Sequence, residues 1–117
     1  MTIKIKLNKS NKPIIVSEFG GYAYKVINHL FDENRAGGYK NFDSLDKYNE
    51  GLYNLYINGI VNNIKNGLAG CIYTQVSDVE EEINGLFTYD RKVLKCDKNI
   101  MKEIKNKIDE AFKNEQL

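Results

Sequence analysis

Two short apolar runs, PIIVSEF from Pro13 and LAGCIYTQV from Leu68, stand on either side of one long amphipathic stripe. The first is β-branched and does not alternate before Glu18, which predicts a strand buried on both faces of a parallel sheet. Pro13 suits the first residue of such a strand. Between the runs, Leu45, Tyr48, Leu52, Leu55, Tyr56, Ile60 and Ile64 recur at helical spacing. Asp43 or Ser44 can cap that helix, Asp46 sits near its positive end, and Gly67 supplies its stop. Asp97 starts a second helix with the core face Ile100, Met101, Ile104, Ile108, Ala111 and Phe112. The order strand, loop, helix, strand, loop, helix is that of βα units carrying a parallel sheet, so the predicted class is α/β.

The flanking segments are read in the same way. TIKIKLN alternates Ile3, Ile5 and Leu7 with Lys4 and Lys6, which predicts an additional N-terminal strand with a basic outer face. Gly20-Gly21 ends the PIIVSEF strand, and Tyr22 to Phe42 reads as a long loop, either functional or disordered. Asn84-Gly85 marks a turn. With 117 residues the chain has room for one domain. It divides into a leader strand and turn (1–11), a strand-loop-helix-strand-loop body (12–96) and a C-terminal helix (97–117).

An apolar share of 42% argues for a packed core, and a net charge of +1 gives no electrostatic case for nucleic acid or an anionic membrane as partner. Cys71 lies in an apolar run and reads as a small core residue. A lone pair of cysteines, Cys71 and Cys96, makes no secreted disulfide framework. The N-terminus has no continuous apolar stretch of the signal-peptide kind, and no run is long enough to span a bilayer. The expectation is a cytoplasmic protein.

In βα architectures chemistry gathers at the carboxyl ends of the strands. Glu18 occupies that end of the first strand, and Gly20-Gly21 allow a backbone or ligand to come close. A carboxylate there can be a nucleophile, a general base, a metal ligand or a structural ion-pair partner. EFGGY has neither a Walker lysine nor the spacing of a dinucleotide loop, so a phosphate cradle is the weaker reading. At the end of the second strand Tyr73 could offer a flat face to a sugar and Gln75 could donate to hydroxyls; ordinary half-buried packing is the competing account of both. Asp78, Glu80, Glu81 and Glu82 form an acidic run that reads as solvated and lacks the alternation and glycine turn of a calcium loop. Asp90-Arg91 reads as a local ion pair. His29 stands alone in a polar loop, without a cysteine to build a zinc site.

Two long segments, PIIVSEFGGYAYKV and GLAGCIYTQVSDVEEEINGLFTYDRKVLK, resemble the C-terminal part of family 2 glycoside hydrolases, the β-galactosidase and β-glucuronidase group. The likeness spans roughly Lys12 to Asp97. It implies a (β/α)8 barrel of which this chain would supply the last two βα units, hence a partial barrel. Glu18 falls on the catalytic nucleophile of the family. Tyr73 falls where many members carry a tryptophan flooring the sugar site, and Tyr22 and His29 lie on the loop after the nucleophile, where Tyr22 is a plausible sugar contact. No cofactor and no metal are implied.

A retaining glycosidase also needs a second carboxyl group, about 5–5.5 Å from the nucleophile, to protonate the leaving oxygen. In the family this is a Glu directly after an Asn at an earlier strand end. The Asn-Glu pairs here are Asn49-Glu50, inside the predicted helix, and Asn114-Glu115, in the tail. A whole barrel takes about 250 residues. The expectation is therefore a portion of a retaining β-glycosidase, carrying the nucleophile, inactive alone, and acting on a β-glycoside only with the remainder of the barrel. A non-catalytic module that self-assembles or complements a larger subunit is the alternative.

Overall fold

The computed structural model describes residues 2–116. Strand β1 (Ile14–Gly20) pairs in parallel with β4 (Leu68–Thr74), and a second two-stranded parallel sheet joins β2 (Tyr22–Tyr24) to β3 (Lys40–Phe42). Helix α1 (Leu45–Leu55) continues through a π-helical turn (Tyr56–Val61) into the short α2 (Asn62–Ile64), and α3 (Lys98–Glu115) follows the long segment after β4. The fold is thus mixed α/β, and the strand–helix–strand order predicted from the two apolar runs is present. No helix among the described residues is long and apolar enough to cross a membrane.

Local chemistry sets the element ends. Ser44 is the cap of α1, its Oγ accepting from the Lys47 N–H at 3.2 Å. The Asp97 carboxylate accepts from the N–H groups of Asn99 and Ile100 at 2.8 and 3.0 Å, satisfying two of the orphan donors that open α3. The predicted stripe faces inward: Tyr48, Leu52, Leu55, Ile60 and Ile64 are buried, while Leu45 at the helix start is exposed. On α3 the six predicted face residues are all at least half-buried, with Ile104 the deepest.

The strands do not lie buried on both sides. One face of the β1–β4 sheet packs Ile14, Val16, Phe19, Leu68, Cys71 and Tyr73 into the core with Tyr48, Leu55 and Ile60. The other face presents Ile15 and Ile72, 57% and 59% exposed. The β-branched pattern was therefore legible as a two-sided strand, but only one side is covered within this chain.

The leader departs from expectation. Residues 2–8 form no strand. Ile3 and Ile5 do alternate inward against the core, but the backbone lies along the helix, which offers no ladder. It is held instead by Asn63 Nδ2 donating to the Ile3 carbonyl at 3.1 Å and by the Asn8 N–H donating to the Asn66 carbonyl at 2.8 Å. A turn follows, with Asn8 Oδ1 accepting from the Ser10 N–H at 3.0 Å. The stretch from Tyr22 to Phe42, predicted as one loop, contains β2 and β3, each only three residues long and too short for a periodicity to be read.

The segment from Gln75 to Asp97 has little regular structure but is firmly tied. Asp78 and Lys95 form an ion pair at 2.7 Å with side chains 2% and 0% exposed. Lys95 Nζ also donates to the Ile83 carbonyl at 2.9 Å, and Asp78 Oδ1 accepts from the Gly85 N–H at 2.8 Å. Asp78 is therefore not part of a solvated acidic run; its three successors Glu80, Glu81 and Glu82 are exposed. Burial pushes the Asp78 carboxyl up and the Lys95 ammonium down from their ordinary values. Buried Asn49 links the segment to α1, donating to the Lys95 carbonyl at 3.2 Å and accepting from the Asp97 N–H at 2.7 Å.

Removing one partner of a buried pair leaves the other charge unpaired away from water. Lys95→Met should lower the unfolding free energy by about 3–5 kcal/mol, read as a shift of the urea midpoint. A loss below about 1 kcal/mol would mean that the pair is solvated in solution.

Candidate functional site

Strand β1 gains a residue on its partner just before its end. Val16 is opposite Cys71 and Phe19 opposite Tyr73, so three steps on β1 match two on β4. Such a bulge re-aims side chains and breaks the alternation. Ser17 and Glu18 accordingly both face solvent, while Phe19 turns into the core. Glu18 has no hydrogen-bond or ion-pair partner among the described residues.

Glu18 borders a hollow of about 260 Å³ lined also by Phe19, Gly20, Gly21, Tyr39, Thr74 and Asn84. The two glycines are required there. Their φ values are +111° and +72°, a region that side chains rarely adopt. A Cβ on Gly20 would lie 2.6 Å from the Thr74 carbonyl oxygen, and one on Gly21 would lie 2.8 Å from Tyr39 Cβ. The Gly21 N–H donates to the Thr74 carbonyl at 2.9 Å, closing the ends of β1 and β4 against each other.

The opposite wall is the turn after β4. The Gln75 N–H donates to the Asn84 carbonyl at 3.2 Å and the Leu86 N–H to the Gln75 carbonyl at 3.0 Å. Gln75 Nε2 donates to Asn84 Oδ1 at 2.5 Å and to Glu82 Oε2 at 3.3 Å. Both amide protons of Gln75 are therefore engaged within the protein. Gln75 supports the wall, the packing account of the two the sequence allows, and within this chain its Nε2 is not free to donate to a hydroxyl.

Tyr73 and Tyr22 lie elsewhere. Tyr73 is on the helix-facing side of β4, stacked on Tyr56 (centroids 5.8 Å apart, planes at 18°) and edge-on to Phe19 at 5.3 Å. Burial raises its phenol pKa above the ordinary value. One ring face is taken by Tyr56, so within this chain Tyr73 is a core residue rather than a floor to the hollow. Tyr22 is 5% exposed. It lines a separate depression with Lys40 and Asn54, with Lys40 Nζ 5.7 Å from its ring centroid. Tyr39 and Asn84 were missed. Tyr39 lies in a stretch without periodicity, and Asn84 carries only a turn signal.

His29 is not alone. Its Nδ1 meets Asp90 Oδ2 at 2.7 Å, across 61 positions of sequence. Asp90 also accepts from Thr88 Oγ1 at 2.6 Å and from the Lys92 N–H at 3.0 Å. These donors, Thr88 first and then His29, hold the Asp90 carboxyl well below the usual carboxylate range. An ionised Asp90 can only accept, so His29 Nδ1 carries the proton. The expected local pair Asp90-Arg91 does not form; Asp90 is directed instead at the loop carrying His29, where Leu30 packs on Ala23 and Ile83.

No protein-family model matches the chain, and no curated protein matches it.

Because the folded-state pKa of Asp90 is depressed, its contribution to stability is complete above the unfolded value of about 3.9 and is lost as pH falls toward the folded value. The melting temperature should therefore drop on acidification below about pH 4, and Asp90→Asn should make that drop shallower. Parallel acid limbs for both proteins would contradict the assignment.

Proposed function

We propose that this chain supplies the last two βα units of a retaining β-glycosidase barrel, with Glu18 as the carboxylate that attacks the anomeric carbon. One observation carries the reading. Glu18 is a solvent-facing carboxylate without a partner among the described residues, set by a bulge at the carboxyl end of a parallel strand and bordering a hollow. At the carboxyl end of a parallel strand, where βα architectures gather their chemistry, a carboxylate so placed is free to meet a ligand. The resemblance of SEFGG and YTQVSDVEEEINGLFTYDR to family 2 glycoside hydrolases supplies the substrate class, a β-glycoside such as a β-galactoside.

Nucleophilic attack alone needs no second carboxyl group when the leaving group departs unprotonated. A Glu18 oxygen forms the bond to C1, the bond from C1 to the phenolic oxygen breaks, and the phenolate leaves with the electron pair. The resulting ester must then be opened by water activated by a general base. Glu50 lies within α1 and Glu115 at the end of α3, so neither carboxylate that follows an asparagine sits at a strand end. In this reading the acid/base belongs to the remainder of the barrel.

The open face of the β1–β4 sheet, with Ile15 and Ile72 exposed, favours a covering polypeptide. The remainder of the barrel would cover it. A second reading uses the same face for self-assembly of a non-catalytic module.

The two readings part on 2,4-dinitrophenyl β-D-galactopyranoside. The glycosidase reading expects no steady turnover by the pure chain, which lacks the acid/base, but a single burst of dinitrophenolate approaching ~1 equivalent before it stalls. Added azide should relieve the stall, and Glu18→Gln should abolish the burst. No burst, or a burst that survives Glu18→Gln, would overturn this reading and leave the non-catalytic module.

A further inference from the structure

A second hollow, on the core side of the sheet, is built around a buried hydroxyl. Tyr22 is 5% exposed, and its ring packs in the core with Tyr48 and Leu55. Its hydroxyl has no hydrogen-bond partner among the described residues, and it is not one of the buried atoms sealed without a partner. It therefore opens into the depression of about 370 Å³ that Tyr22 lines with Lys40, Asn54, Asn58, Ile3 and Leu55. A phenol held this deeply, with its donor still accessible, offers that donor to whatever occupies the depression.

Three further polar groups line the same space from other elements. Lys40, on β3, sets its Nζ 5.7 Å from the Tyr22 ring centroid and 5.3 Å from that of Phe42. The two rings hold the ammonium at the rim, and no carboxylate pairs with it among the described residues. Asn54 and Asn58 are four residues apart on one helix face. Neither side-chain amide has a partner among the described residues. Asn58 belongs to the π-helical turn Tyr56–Val61, and such turns are rare and frequently mark functional sites.

The groups present set the class of ligand. One ammonium is a point charge, and beside it stand a hydroxyl and two primary amides as neutral donors. Donors of this kind reach separate oxygens of a tetrahedral anion, whereas a planar carboxylate is matched best by the fork of an arginine. Pockets of roughly 300–1,000 Å³ hold small molecules, and Ile3 and Leu55 add an apolar wall for an organic part. We infer that this hollow is a binding site for a small phosphate monoester, with Lys40 and the Tyr22 hydroxyl on the phosphoryl oxygens. The site is separate from the hollow bordered by Glu18 and does not rest on the glycosidase reading.

The test is a titration of the ¹⁵N-labelled full chain with phenyl phosphate and with inorganic phosphate at constant ionic strength, followed by its amide resonances. Phenyl phosphate should shift the Gly51 and Gly59 backbone amides and the Asn54 and Asn58 side-chain amides saturably. It should bind more tightly than inorganic phosphate, and the amides of Gly20 and Gly21, beside Glu18, should not respond. Tyr22→Phe keeps the buried ring and removes only the hydroxyl. Lys40→Met keeps the apolar stem and removes the charge. Each should weaken phenyl phosphate binding by about tenfold, whereas a merely structural role would leave the affinity unchanged.

Shifts that fail to saturate, or that sodium chloride reproduces at equal ionic strength, would overturn the site. Binding that either variant leaves undiminished would overturn the role of that residue. Inorganic phosphate bound as tightly as phenyl phosphate would overturn the monoester assignment. Shifts confined to Gly20 and Gly21 would place the anion beside Glu18 and overturn the inference as a whole.

Discussion

The ion pair between Asp78 and Lys95 is the interaction on which the upper end of this molecule depends. A segment of more than twenty residues follows β4 with almost no regular structure, and segments of that kind stay ordered only where their polar groups are satisfied. Here one ammonium and one carboxylate, both removed from water, collect the Ile83 carbonyl and the Gly85 N–H around them. Taking such charges out of water is expensive, and the expense is visible in the opposite directions in which burial drives the two groups. What it secures is position. Gly85 lies so close that a Cβ there would sit 2.2 Å from the Asp78 nitrogen, and Asn84 is thereby held at the wall opposite Glu18.

The other wall is set by the sheet. A bulge at Ser17-Glu18 turns the carboxylate outward one residue before the chain must turn inward at Phe19. The glycines that follow allow the ends of β1 and β4 to close until the Gly21 N–H meets the Thr74 carbonyl. Glu18 on one wall and Asn84 on the other are therefore placed by two independent constraints, one in the sheet and one in the loop.

The parts legible in the sequence were those with a period or a cap. The helical stripe from Tyr48 to Ile64, the stop of the first strand near Glu18 and the Asp97 cap of α3 each follow from local rules, and the structure has them. The leader misled because alternation reports which side chains turn inward, and Ile3 and Ile5 do, while it says nothing about whether a partner strand is within reach. Asp78 looked solvated among three other acids because its partner is seventeen residues away, and a long-range pair leaves no local mark. The same holds for His29 and Asp90. Tyr73 and Tyr22 were placed at the site by position along the chain, but the bulges in the β1–β4 ladder and the burial of Tyr22 decide which way each ring faces. Asn84 carries a turn signal, and its place beside Glu18 leaves no local mark in the sequence.

Chemical trapping would identify the side chain that attacks the sugar. The chain would be treated with 2,4-dinitrophenyl 2-deoxy-2-fluoro-β-D-galactopyranoside, whose glycosyl ester is slow to hydrolyse, and the modified peptide located by mass spectrometry. A single deoxyfluorohexosyl group is expected on the peptide containing Glu18, attached at that carboxylate. Attachment at another residue, or none after prolonged treatment, would contradict it.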